Sequence, residues 1–191
     1  DPDYREVTYG ELYELTNQIS KGLAALGLER GDHIATTLPN SIEQVALCLA
    51  AFQSGYYITT VNWHLVGPEI AYILGDAETK VYVTHERFAH ESQRAVEEAG
   101  LPEKARFAIG DVAGFRPFDE LVRGQDGGRP KELSAGSFMF YTSGTTGRPK
   151  GVRRALPDAK PDDVSKMSGM LFLLFGMQPH DGHVHITQAP L

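Results

Sequence analysis

Apolar and polar positions along the chain fall into helical and strand patterns that alternate. Leu12, Leu15, Ile19, Leu23 and Leu26 recur at helical intervals behind Thr8 and Glu11, which have capping-box spacing, and Gly27 closes the segment. Residues 33–38 have a short strand pattern, followed by a Pro39-Asn40 turn. Ser41 is placed to cap a second helix. Its apolar spacing assigns the buried face to Ile42, Val45, Leu49 and Phe52, with Gly55 at the end. The β-branched and aromatic run at 56–61 predicts another strand. A short helix at 68–74, a strand at 80–84, a charged surface helix at 86–99 and a strand at 105–109 follow. Strands separated by single helices make βαβ units, so the predicted class is α/β, a largely parallel sheet flanked by helices.

The pattern changes after residue 122. Segments 123–131 and 157–163, rich in glycine, proline and charge, read as linkers. Between them, Ser137-Phe138-Met139-Phe140-Tyr141 predicts one buried strand. It leads into Thr142-Ser143-Gly144-Thr145-Thr146-Gly147-Arg148-Pro149-Lys150-Gly151, which holds four hydroxyls, three glycines and two cations. Glycines let backbone N–H groups curl toward an anion, hydroxyls add donors, and a lysine supplies a mobile positive charge for phosphate oxygens. Pro149 and Gly151 around the lysine, then Val152, predict a return into a strand, so the loop lies between two strands.

Charge sharpens this reading. The chain carries 18 Lys+Arg against 25 Asp+Glu, a formal charge of −7. Residues 133–157 nevertheless contain four cations (Arg148, Lys150, Arg153, Arg154) and no acid, leaving 18 − 4 = 14 basic against 25 acidic residues elsewhere. A cationic loop in an acidic protein suits a small polyanion. It argues against a nucleic-acid surface or an anionic membrane as partner. The spacing is not that of a Walker loop, since Lys150 is followed by Gly151, and no G-x-G-x-x-G occurs.

Other features point less far. Cys48, the single cysteine, cannot form an internal disulfide and reads as core of the second helix. The first six residues lack the basic and apolar regions of a leader, which makes the cytoplasm the expected location. The longest apolar stretch, 167–177, is too short to span a bilayer, which takes about 20 residues. It has no basic face and is expected to be a buried helix rather than an interfacial one. His180, His183 and His185 are close in sequence. With no cysteine or assigned carboxylate to complete a zinc site, a polar strand face is favoured. Trp63 and His64 fall in a loop at a strand end, where packing is favoured over ligand binding.

The string from Tyr141 to Gly151 resembles the signature phosphate loop of the adenylate-forming superfamily, which includes acyl-CoA synthetases, luciferases and peptide-synthetase adenylation domains. Val7-Thr8-Tyr9-Gly10-Glu11-Leu12 is similar to that superfamily's opening helix, and residues 51–62 and 68–74 to its second shared stretch. Thr59-Thr60 stands near where the superfamily usually has a proline. Asn62-Trp63-His64-Leu65 and Gly151-Val152-Arg153-Arg154 lean toward bacterial acyl-CoA synthetases.

The resemblance implies ATP-dependent activation of a carboxylic acid, expected to be fatty, through an acyl-adenylate to a coenzyme A thioester. Lys150 is expected to be the catalytic cation. Thr142, Ser143, Gly144, Thr145, Thr146, Gly147 and Lys150 would bind ATP, and Thr142 would also face Mg²⁺. It further implies that residues 1–191 are a partial N-terminal domain, with the adenine, ribose and acyl sites and the C-terminal domain lying downstream and little activity in this portion alone. The alternatives are an aryl-CoA ligase, a peptide-synthetase adenylation domain, a phosphoryl-transferring NTPase, or a nucleotide-binding module without catalysis.

Overall fold

The computed structural model describes residues 5–142 and 149–178, together with Gly182 and Val184. Helix α1 (Tyr9–Ala25) starts at the expected capping box: Thr8 Oγ1 accepts from the Glu11 amide at 3.2 Å, and the Glu11 carboxylate accepts from the Thr8 amide at 2.7 Å. Strand β1 (His33–Thr37) follows. Next comes α2 (Ile42–Ser54), capped by Ser41 and closed by Gly55 in the left-handed conformation, φ 75°. Then come β2 (Tyr57–Thr60), α3 (Gly67–Asp76) and β3 (Thr79–His85). The charged segment predicted as one helix is a 3-10 turn, Glu86–Phe88, followed by α4 (Ala89–Glu98). Two short strands, β4 (Arg106–Ile109) and β5 (Arg116–Pro117), and the single-turn α5 (Asp119–Val122) complete this part.

With β6 (Ser137–Phe138), these strands form one six-stranded sheet in the order β5-β4-β3-β1-β2-β6, every pair parallel. Alternation along each strand divides the interior into two cores. Ile34, Ile58, Val81, Val83 and Phe107 pack with α1, α2 and α5 on one face. Ala35 and Tyr82 pack with α3 and α4 on the other. Cys48 belongs to the first core, as expected.

Expectations for three further regions are corrected. The buried face of α2 is not the stripe of large residues. Ala46, Leu47, Ala50 and Ala51 are fully buried, while Leu49 is 40% exposed and Ile42, Val45 and Phe52 are intermediate. The helix is apolar around most of its girth, and its alanine side allows the closest approach to sheet and α1, so packing distance decides the matter. Leu49 and Phe52 instead line a groove of about 860 Å³ with Leu12, Phe138 and Phe172.

The run from Ser137 to Tyr141 is not one buried strand. It breaks at Met139, and Phe140 is 56% exposed. The third correction concerns the end of the described chain. Pro161 is the first residue of α6 (Pro161–Leu174) rather than part of a linker. The stretch from Met167 to Phe175, expected to be buried, exposes its apolar residues, Leu174 at 81% and Phe175 just beyond the helix at 78%, because the described residues offer it a surface only along the groove.

Candidate functional site

Beyond Met139 the chain leaves the sheet and makes a separate antiparallel hairpin, β7 (Phe140–Thr142) and β8 (Lys150–Val152). The expected placement of the loop between two strands is therefore observed. Thr142 lies directly across from Lys150, and Tyr141 from Gly151. Thr142 Oγ1 donates to the Lys150 carbonyl at 3.4 Å, a long bond that ties the two ends of the loop together. Both residues are exposed, and among the described residues no acid pairs with Lys150. Ser143, Gly144, Thr145, Thr146 and Gly147 lie outside the described residues, as do His180, His183 and His185.

Side chains from the sheet hold this hairpin. Met139, 5% exposed, is its pivot: its amide donates to the Ile58 carbonyl at 3.0 Å, and its carbonyl accepts from Thr59 Oγ1 at 2.7 Å. Thr59 Oγ1, having given its proton to that carbonyl, accepts from His33 Nε2 at 2.8 Å. His33 therefore carries a proton on Nε2. Its Nδ1 and the Oγ1 of Thr79, the residue beside it on β3, have no partner among the described residues. Burial, and secondarily the Arg153 charge, push the His33 pKa down to about 4.

The far side of the hairpin is tied down as well. Tyr57 Oη donates to the Arg154 carbonyl at 2.5 Å. The Arg153 guanidinium donates to the Gly31 carbonyl at 2.9 Å and lies 4.6 Å over the Tyr57 ring. Arg30 donates to Ser134 Oγ at 2.8 Å and to the Pro157 carbonyl at 3.1 Å. Arg153 is thus a tether, which leaves Lys150 as the described cation at the loop's mouth. On the near side, Tyr141 Oη donates to Asp76 Oδ2 at 2.6 Å. No local pattern in the sequence announces these contacts, which join residues far apart.

Of the other candidates, Trp63 and His64 lie among the described residues. Trp63 stacks on His64 and Phe88, with ring centroids 3.4 and 5.6 Å apart, as packing requires. Among the described residues there is no cluster of three His, Cys, Asp or Glu side chains able to hold a metal, and no helix long and apolar enough to cross a membrane.

The chain is 31% identical over 149 residues to a long-chain-fatty-acid–CoA ligase of Mycobacterium tuberculosis, covering 76% of this chain and 29% of that protein. It is 30% identical to a 3-hydroxybenzoate–CoA ligase of Aromatoleum, covering 78% and 29%. It therefore spans under a third of the length of either relative. Among solved structures, an anthranilate CoA ligase in complex with anthranoyl-AMP superposes with a TM-score of 0.70 at 26% identity, over 79% of this chain and 30% of that one. The AMP-binding enzyme family matches residues 1–156, most of the chain, and it is to this family that the chain belongs.

Proposed function

We propose that the chain supplies the phosphate-holding part of an ATP-dependent acid–thiol ligase, which converts a carboxylic acid to an acyl-adenylate and then to a coenzyme A thioester. The observation that carries this reading is the hairpin that sets Thr142 opposite Lys150 at the mouth of a glycine- and hydroxyl-rich loop. When a carboxylate attacks the α-phosphorus of ATP, charge builds on the departing pyrophosphate. Backbone N–H groups and hydroxyls of residues 142–147, with the Lys150 ammonium, would donate to that charge as it develops. Mg²⁺ bound to the phosphates supplies further charge neutralisation. Thr142 Oγ1, exposed and without a carboxylate beside it in the hairpin, fits as one neutral oxygen ligand, with phosphates and water providing the rest.

The substrate is a fatty acid in this reading, supported by the likeness to the mycobacterial ligase. An aryl acid is the second reading, supported by the hydroxybenzoate and anthranilate ligases. We further propose that residues 1–191 are the N-terminal part of the catalytic domain, and that purine, acyl and thiol recognition lie outside them. The test is carboxylate-dependent ATP–pyrophosphate exchange with straight-chain and aromatic acids, on this chain and on the complete enzyme. Exchange by the complete enzyme alone, strongest with longer acids and lowered about 10²–10³-fold by Lys150→Ala, is the expected result. Conversion of ATP to ADP without any exchange would overturn the reading in favour of a phosphoryl-transferring NTPase.

A further inference from the structure

We propose that Tyr141 and Asp76 are a positioning pair for the phosphate loop, a latch that locks the β7–β8 hairpin to the end of α3 and so sets where Thr142 and Lys150 stand relative to the bound phosphates. The proposal rests on the reading of residues 142–150 as a phosphate loop.

A two-stranded ribbon is marginal by itself and takes its orientation from whatever holds it. This one has left the six-stranded sheet, so no continuing backbone ladder orients it. Tyr141 occupies the most effective place for a hold: it precedes Thr142 in the chain and sits directly across from Gly151, next to Lys150. The phenol therefore adds, beside both ends of the loop, a hold that the ties from Thr59, Tyr57 and Arg153 do not supply.

The anchor is rigid. Asp76 is the last residue of α3, and Ile73 and Leu74 just before it are 2% and 3% exposed within the second core. The Tyr141 ring packs against that same core while its hydroxyl donates to the carboxylate. Burial and the Asp76 charge both raise the phenol's pKa, so it remains a donor across the physiological range. Gly151 makes the crossing possible. A Cβ there would come within 2.3 Å of the Met139 methyl, which can swing aside, but also within 3.0 Å of Tyr141 Cζ and 3.1 Å of its oxygen. The ring held by Asp76 could not yield without stretching the bond.

The experiment uses the complete enzyme that contains this chain, with inorganic pyrophosphate and Mg²⁺ as the probe, followed by calorimetric titration and by hydrogen exchange of individual amides. Tyr141→Phe and Asp76→Ala should each weaken pyrophosphate binding about 5–10-fold, and the double variant no further, since both remove one shared bond. Asp76→Asn, which keeps an acceptor, should bind within about twofold of the unaltered enzyme. Amides of β7 and β8 should lose protection in Tyr141→Phe while those of β1 and β3 keep theirs, showing that the sheet remains folded.

If Lys150→Ala abolishes binding but Tyr141→Phe and Asp76→Ala bind as the unaltered enzyme does, the latch is overturned and the phosphate reading stands. If the unaltered enzyme does not bind pyrophosphate, or Lys150→Ala changes nothing, the phosphate reading falls and takes the latch with it.

Discussion

The sheet and the hairpin are adjacent along the chain and are held by opposite means. In the sheet, strands are locked by parallel ladders and by two cores whose members, such as Phe107, Ile58 and Tyr82, are entirely out of solvent. In the hairpin, Phe140, Thr142, Lys150 and Val152 are exposed, and position depends on a few bonds from Thr59, Tyr57, Arg153 and Asp76. Apolar burial is distributed and insensitive to small shifts in direction. Single hydrogen bonds are directional, each of modest worth, and able to aim a group. Damage to the first region should therefore appear as lost stability, and damage to the second as lost aim.

The strongest way to test that division is to hollow the sheet. Phe107→Ala should lower the unfolding free energy by about 3–5 kcal/mol in urea titration, the ordinary result of removing a fully buried aromatic ring. A comparable loss from Tyr141→Phe would erase the distinction.

Next in size is the boundary residue His33. Its folded pKa of about 4 lies below the unfolded 6.5, so the unfolded chain binds the extra proton first as pH falls. The contribution of neutral His33 is complete above pH 6.5 and is lost as pH falls toward 4, amounting to roughly 3 kcal/mol. Urea midpoints across this window should show the slope, and His33→Gln should flatten it.

Gly136→Ala strikes the joint itself. The added methyl would sit 2.1 Å from the Ala51 carbonyl oxygen and 2.5 Å from that of Tyr56, both backbone atoms. A cost of about 1–3 kcal/mol is expected, with increased amide exchange in β6. The smallest effect is expected from a lone bond within the stable region. Ser41→Ala removes the cap of α2 and should cost about 1 kcal/mol in thermal or urea unfolding without altering pyrophosphate binding.

Much of the sheet region was legible in the sequence because its signals are local. Thr8 with Glu11, Ser41 and Gly55 bracket their helices as spacing predicts, and the β-branched runs mark the strands. The face of α2 was not legible, since alanines carry little weight in a hydrophobic pattern yet allow the closest packing. Exposure of α6 could not be foreseen either, because burial depends on a surface supplied elsewhere, and the pattern of one helix says nothing of that. At the candidate site, Thr142 and Lys150 face each other where β7 ends and β8 begins, the return into a strand that Pro149, Gly151 and Val152 predict. The Tyr141–Asp76 bond joins residues 65 positions apart, and the break at Met139 has no glycine or proline to announce it.

The pairing of β6 with β2 has a consequence for the chain while it is being made. Tyr57 must wait for Ser137, and until then the outer edge of β2 offers unpaired N–H and C=O groups to any neighbour. At about 5–20 residues per second, that wait lasts roughly 4–16 s. Molecules crowded on one messenger would face each other with bare strand edges for that time. Loss of chains to aggregates during synthesis should therefore depend on how quickly residues 61–136 are translated, and slow codons there should lower the yield of folded protein even though the finished structure is unchanged.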